Sequence, residues 1–211
     1  MRTIAKSIAI MAAAAAGCLA QQWEFGGSGG AGFLNSVAVA TPGAAATAGF
    51  QTGAGFGGFF GQTLYPHLSG ELHYAFLESN LQLASGGNSV SFSGVSHVIH
   101  YDLVWHTNRE SRMQFFAAAG AGIKIFDGTG REEAYQPLNQ FGYFTKTRSL
   151  KPMGDFGGGV RYALSARVSL RVEFRDYLTA FPTQVLTPAP GAKYGSILND
   201  LVPMVGISYQ Y

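Results

Sequence analysis

The sequence predicts an all-β chain: eight antiparallel strands of membrane-crossing length, closed into an up-and-down transmembrane β-barrel. Three observations predict it. Polar and apolar residues alternate with a period of two along most of the chain. The 211 residues include 29 glycines and are 47% hydrophobic, yet only 12% are charged, against about 25% in an ordinary globular domain. The links between strands also alternate between tight turns and long loops, as they do in barrels that cross a bilayer.

The chain opens with "MRTIAKSIAIMAAAAAGCLAQQ", which reads as a signal peptide over residues 1–20. Arg2 and Lys6 give the charged start, Ile8 to Ala16 the short apolar run, and Ala20 a small-residue cleavage point before Gln21. That run falls short of the roughly 18 residues that a membrane anchor needs. Cys18 is the only cysteine, and "AAGC" resembles a lipoprotein cleavage site except for alanine where leucine is usual. Residues 21–211, the expected barrel, therefore contain no disulfide framework. Sixteen phenylalanines and ten tyrosines argue against disorder, and a net charge of +2 without a basic run offers nucleic acid no surface.

Eight segments carry the alternation: "QWEFGGSGGAGF", "AGFQTGAGFGGFFGQ", "SGELHYAFLESNLQL", "VSFSGVSHVIHYDLVWH", "MQFFAAAGAGIKIF", "MGDFGGGVRYAL", "RVSLRVEFRDYL" and "DLVPMVGISYQY". Each has about ten residues or slightly more, enough for a tilted strand to span a bilayer. No amphipathic helical stripe interrupts them. "TLYPHL", "TNRESR" and "LSA" are tight connections, whereas "LNSVAVATPGAAAT", the stretch from Asp127 to Lys151 and the stretch from Thr179 to Asn199 are long. "ASGGNS" is the one short link where a long loop is expected.

The segment "ARVSLRVEFRDY" decides which face is wet. Val168, Leu170, Val172 and Phe174 fall on one side, and Ser169, Arg171, Glu173 and Arg175 on the other. A soluble barrel would turn the apolar side inward. A membrane barrel turns it to lipid and sends the charges to the lumen. In the preceding segment Gly157 and Gly159 share a face with Asp155 and Arg161. A three-residue turn at Leu164, Ser165 and Ala166 would set Arg161 opposite Ser169, Gly159 opposite Arg171, Gly157 opposite Glu173 and Asp155 opposite Arg175. Long charged side chains beside glycines suit the narrow interior of an eight-stranded barrel.

The same parity adds Glu71, His73, His100, Asp102, Gln114, Lys124, Ser208 and Gln210 to the expected lumen. Unpaired charges in a low-dielectric wall are costly, so an ion-pair and hydrogen-bond network without a wide pore is expected. Trp23, Tyr65, Trp105, Tyr162 and Tyr209 fall near the periplasmic boundary, and Tyr177 and Phe126 near the outer one, as an aromatic girdle.

The signal peptide, the hairpin "GGGVRYALSARVSLRVEFRDY" and the closing "PMVGISYQY" together resemble the small OmpA-like outer-membrane β-barrel proteins. The resemblance implies residence in the cell outer membrane of a Gram-negative type envelope, surrounded by outer-membrane lipid. It also implies a C-terminal signal for the barrel-assembly machinery, here Val205, Ile207, Tyr209 and Tyr211. Family lumenal salt bridges would fall in kind on Arg171, Glu173, Arg175, Glu71 and Lys124. Larger members add a peptidoglycan-binding domain. This sequence stops at its last strand, so that activity is not expected.

The remaining residues offer little chemistry. Some barrels of this size modify outer-leaflet lipid, which needs a base or nucleophile facing that leaflet. His106 and Asn108 of "WHTN" fall at a periplasmic turn, and His97 faces outward with no serine or acid in register. His73, His100 and Asp102 share the lumen on different strands and read as network members rather than ligands. "GAGFGGFFG" lacks the lysine and following helix of a phosphate loop. No catalytic residue, metal or cofactor is therefore expected. Tyr135, Phe141, Tyr143 and Phe144 give one long loop a composition suited to contact with sugars, lipid head groups or proteins, although a tolerated surface loop without a partner explains it more simply. The expected role is structural or surface-contacting, through the extracellular loops. A narrow ion or small-solute channel is the alternative, and a lipid-modifying enzyme a more distant one.

Overall fold

The computed structural model describes residues 22–107, 111–128 and 136–211, which form strands and turns. The strands in chain order are β1 (Trp23–Gly32), β2 (Ser36–Thr41), β3 (Ala44–Phe50), β4 (Gly53–Tyr65), β5 (Leu68–Glu78), β6 (Leu81–Ser85), β7 (Asn88–Phe92) and β8 (Val95–His106). They continue with β9 (Met113–Asp127), β10 (Gly142–Phe144), β11 (Arg148–Ala163), β12 (Val168–Ala180), β13 (Leu186–Pro188), β14 (Lys193–Tyr194) and β15 (Ile197–Gln210). Eight of them close a barrel in the order β1, β15, β12, β11, β9, β8, β5, β4, and β4 pairs back to β1. Every neighbouring pair is antiparallel. The expected leader, residues 1–20, lies outside the described residues.

One rim of the barrel carries both ends of the described chain and the tight turns from β4 to β5 and from β11 to β12. The opposite rim carries the long connections, and these fold. β14, β2, β3, β6 and β7 pair into a five-stranded sheet, and β10 pairs with β13. "ASGGNS" is the tip of the β6–β7 hairpin, where Gly86 and Gly87 adopt φ of 58° and 83°. It is not a turn between barrel strands. The expected exception in loop length therefore disappears, because the β5–β8 connection is long as well.

The β11–β12 hairpin departs from expectation in its register. Arg161 lies opposite Arg171, Gly159 opposite Glu173, Gly157 opposite Arg175 and Asp155 opposite Tyr177. The turn spans four residues, 164–167. Its Leu164 and Ser165 N–H groups donate to the Val168 carbonyl at 2.9 and 3.0 Å, and Ser165 Oγ accepts from the Val168 N–H at 3.0 Å. A displacement of two residues leaves every side chain on its own face, since only an odd slip would exchange faces. Glycines still flank the charges. A Cβ on Gly157 would lie 2.2 Å from the Phe174 carbonyl oxygen and 2.9 Å from Arg175 Cδ.

The apolar side of this hairpin faces out. Val172, Phe174, Phe156, Phe115, Leu103 and Ile207 are between 47% and 58% exposed, while Arg171, Glu173 and Arg175 are at most 5% exposed. A soluble monomer rarely presents so continuous an apolar belt to water. Two expected girdle aromatics point the other way. Tyr177 and Phe126 are buried inside the barrel, 2% and 1% exposed. Tyr177 shares parity with Arg171 and Arg175, and Phe126 shares it with Lys124. The pleat, rather than a preference for the boundary, sets their side.

Inside, the barrel has two storeys. Near the loop rim the lumen is apolar: Leu77, Val98, Phe126, Leu198 and Val202 join Val39, Leu83, Phe144 and Leu186 of the loop sheets in one cluster. Phe50 stacks on Phe126 at 5.2 Å and Phe92 meets Phe144 at 4.8 Å, binding loops and barrel into a common core. Each such side chain contributes on the order of 1.5–3 kcal/mol. Below this plug the lumen is ionic.

Candidate functional site

The ionic layer is built on three consecutive inward positions of β12. Arg171 donates to both oxygens of Glu71 across the barrel, at 3.0 and 2.7 Å, and to Glu173 at 3.1 Å. Its guanidinium sits between the rings of Phe59 and Phe116, 4.3 and 4.4 Å from their centroids. This bidentate pairing, closed by two aromatic faces, is the geometry in which arginine interacts most strongly. Arg175 donates through Nη1 to Asp102 at 2.7 Å and to Asp155 at 2.9 Å. Its Nε lies 3.5 Å from Glu173, which thus bridges the two arginines.

Histidines fill the gaps between carboxylates. His73 Nε2 donates to Glu71 at 2.8 Å, and His100 Nδ1 donates to Asp102 at 2.8 Å. The His73 ring stacks between Phe59 and His100, at 5.2 and 4.9 Å, and Tyr177 meets His100 edge-on at 5.4 Å. Glycines on the neighbouring strand make room: a Cβ on Gly120 would lie 2.1 Å from the Asp102 carboxylate. Two further pairs stand apart. Arg161 meets Glu24 at 2.9 Å, and the fully buried Lys124 meets Asp200 at 2.6 Å.

All ten residues expected in the lumenal network, Glu71, His73, His100, Asp102, Lys124, Asp155, Arg161, Arg171, Glu173 and Arg175, are buried there. Glu24 and Asp200 are additions. Both lie on inward positions, Glu24 with Gly26 on β1 and Asp200 with Ser208 on β15, so parity alone would find them. Chemically the layer is a cross-link. Its arginines and carboxylates pair with one another, joining β12 to β5, β8 and β11. His73, His100 and Asp102 also offer three ligand atoms within 4.8 Å of one another. Arg175, however, lies 2.7 Å from Asp102 and 3.3 Å from His73 Nε2, so a cation there would have to displace a guanidinium.

Outside the barrel, Trp23, Tyr65, Trp105, Tyr162 and Tyr209 lie at the strand ends of the turn rim. Trp23 stacks on Phe60 at 4.9 Å, and the Tyr209 hydroxyl accepts from Arg167 at 3.2 Å. Val205, Ile207 and Tyr209 face outward on alternate positions of β15, and the Tyr211 N–H donates to the Trp23 carbonyl at 2.9 Å. His97 has partners that its register hid. Tyr74 OH lies 2.8 Å from its Nδ1 and Asp127 3.6 Å from its Nε2, and Asp127 in turn pairs with Arg148. His106 is buried at the turn rim, with its Nε2 2.9 Å from Ser69 Oγ. Asn108 and Tyr135 lie outside the described residues.

The expected loop aromatics divide. Phe141 and Phe144 are buried in the plug and offer nothing to a ligand, whereas Tyr143 is 41% exposed. Tyr194 is half-buried above the plug, its hydroxyl donating to the Phe141 carbonyl at 3.1 Å, and burial pushes that phenol above its ordinary range.

A closed barrel of eight antiparallel strands, turned at one rim and elaborated at the other, defines the fold of the small outer-membrane β-barrels. Three solved structures that share it are Neisserial surface protein A, OprG from Pseudomonas aeruginosa and a major outer membrane protein from Thermus thermophilus. The first has a TM-score of 0.55 at 10% identity, covering 90% of this chain and 97% of the other. OprG has a TM-score of 0.57 at 15% identity, covering 89% and 95%, and the Thermus protein 0.52 at 15%, covering 90% and 99%. At these identities the likeness is one of fold. No family model and no curated protein matches the sequence.

Proposed function

We propose that this chain is a non-conducting outer-membrane barrel that stabilises the envelope and meets its surroundings through the folded loop sheets. One observation carries the reading: the interior is closed twice, by the ionic layer around Arg171 and Arg175 and by the apolar plug above it. The plug is continuous with the loop sheets, so the loops form a fixed platform on the barrel. The exposed apolar belt supports residence in lipid, with the turn rim periplasmic and the loop rim outside. Export by a leader at residues 1–20, and delivery through the assembly machinery by way of Val205, Ile207, Tyr209 and Tyr211, belong to the same proposal.

Planar-bilayer recording of the purified protein tests it. The expected record is flat at voltages that open porins. Steady openings that Arg171→Ala abolishes would replace this reading with a selective channel. Fractionation of cells tests the location independently: recovery in the soluble fraction without detergent would refute it.

A further inference from the structure

The outward surface of β4, β5 and β8 is not a uniform belt. Between these strands runs a groove of about 420 Å³, floored at Gly58 and walled by Phe60, Leu72, Tyr74 and Ile99. Gly58 leaves the gap that a side chain would fill. The groove ends at Tyr74, whose hydroxyl begins the polar chain through His97 and Asp127 to Arg148. On β8 the consecutive outward positions Ile99, His97 and Val95 lead from the groove, through this chain, to a second hollow of about 260 Å³ at the loop rim. Glu78, Asn80 and Ser93 line that hollow beside Val95, which pairs with Asp127. An apolar slot thus opens onto a polar recess along one line of the barrel wall.

The complement of that surface is an amphiphile. We propose that it binds a lipid with a saccharide headgroup, one acyl chain in the groove at Gly58 and the sugar on Tyr74, Asp127 and Arg148. The inventory of groups selects the headgroup. Glu78 and Asp127 set two carboxylates against the one guanidinium of Arg148, a balance that repels a lone phosphate. The same carboxylates accept hydrogen bonds from sugar hydroxyls, while Arg148 and Asn80 donate to sugar oxygens. His97 is a positioning residue: one ring nitrogen meets the Tyr74 hydroxyl and the other the Asp127 carboxylate, with the ring of Phe76 edge-on at 5.6 Å, so it fixes the two groups that the sugar meets. The site rests on the outer-membrane reading above, because it needs the groove to face lipid.

Native mass spectrometry of the full chain in an amine-oxide detergent tests it, with a dihexosyl diacylglycerol and a phosphatidylglycerol of matched chains as probes. The wild type is expected to bind the glycolipid about tenfold more tightly. His97→Ala is expected to erase that preference. Gly27→Leu sits directly across from Gly58, with 3.8 Å between its Cβ and the Gly57 carbonyl, and is expected to weaken both lipids by crowding the groove. Equal binding of the two lipids by the wild type, or preference for phosphatidylglycerol, overturns the site as mere boundary lipid. That wild-type comparison needs no variant to fold. It is made on purified protein, so its failure leaves the location, tested by fractionation, standing.

Discussion

Arg171 holds Glu71 by two hydrogen bonds across the barrel, and replacing it with methionine tests the inside-out arrangement directly. Methionine keeps the unbranched apolar stem as far as the position of Nε and can still pack a thioether near the two rings of Phe59 and Phe116. What it removes is the charge. Glu71 then loses two hydrogen bonds of 3.0 and 2.7 Å and keeps His73 and the longer 4.0 Å approach of Arg175, inside a wall where it is 1% exposed. Removing one partner of a buried pair costs about 3–5 kcal/mol, because the other charge stays behind. With a urea slope of about 2 kcal/mol/M, a loss of about 4 kcal/mol moves the midpoint down by roughly 2 M.

The assay is urea unfolding of the protein in lipid vesicles, followed by the fluorescence of Trp23 and Trp105. A companion variant separates charge from packing. Arg171→Met combined with Glu71→Leu removes both charges, and is expected to recover at least half of the loss, since no ion is left unpaired. A midpoint unmoved by Arg171→Met would refute the reasoning, for it would mean that the guanidinium is solvated. A double variant as unstable as the sum of its parts would refute the coupling across the barrel.

Lys124→Met leaves Asp200 buried without its 2.6 Å partner and is expected to cost about 3 kcal/mol, whereas Arg148→Ala, on an exposed pair, leaves the same unfolding midpoint in place. Gly120→Val would push a side chain into the Asp102 carboxylate, 2.1 Å from the first added atom, and is expected to abolish the folded, faster-migrating band on unheated gels. Val172→Arg puts a charge on the apolar belt and is expected to cost about 2–4 kcal/mol in vesicles if that position is near the bilayer midplane. On a water-facing surface the same change would be nearly silent.

The barrel is legible in the sequence because its signal is a parity, and parity survives errors of register. The four-residue turn at Leu164–Arg167, held by Ser165 Oγ, displaces the expected pairing by two positions without moving Arg171, Glu173 or Arg175 from the lumen. Where another rule displaces parity, the reading fails. Tyr177 has the parity of Arg175, and only the habit of tyrosines to gather at boundaries points elsewhere. Glu24 and Asp200 escape a reading that starts from the charged hairpin, although their positions mark them. The loop sheets are not legible, since their pairings join segments far apart in sequence: Lys193 with Ala40, and Phe144 with Leu186. Nothing in "VAVAT" announces the partner that will bury it.

The two storeys of the lumen divide the work of stability. An ionic cross-link fixes which strands face which, because Arg171 reaches Glu71 only when β12 and β5 stand opposite at one height. It contributes little net free energy, since desolvating the charges consumes most of what their pairing returns. In the apolar plug that offset is confined to the buried Lys124–Asp200 pair, whose Asp200 lies between Leu198 and Val202 on β15. Leu77, Val98, Leu198 and Val202 lie within a hydrophobic cluster that exists only once the loops have folded over the barrel. The barrel therefore gains stability from its loops, and the loops gain order from the barrel. The fixed loop platform of the proposed surface-contact role rests on that coupling.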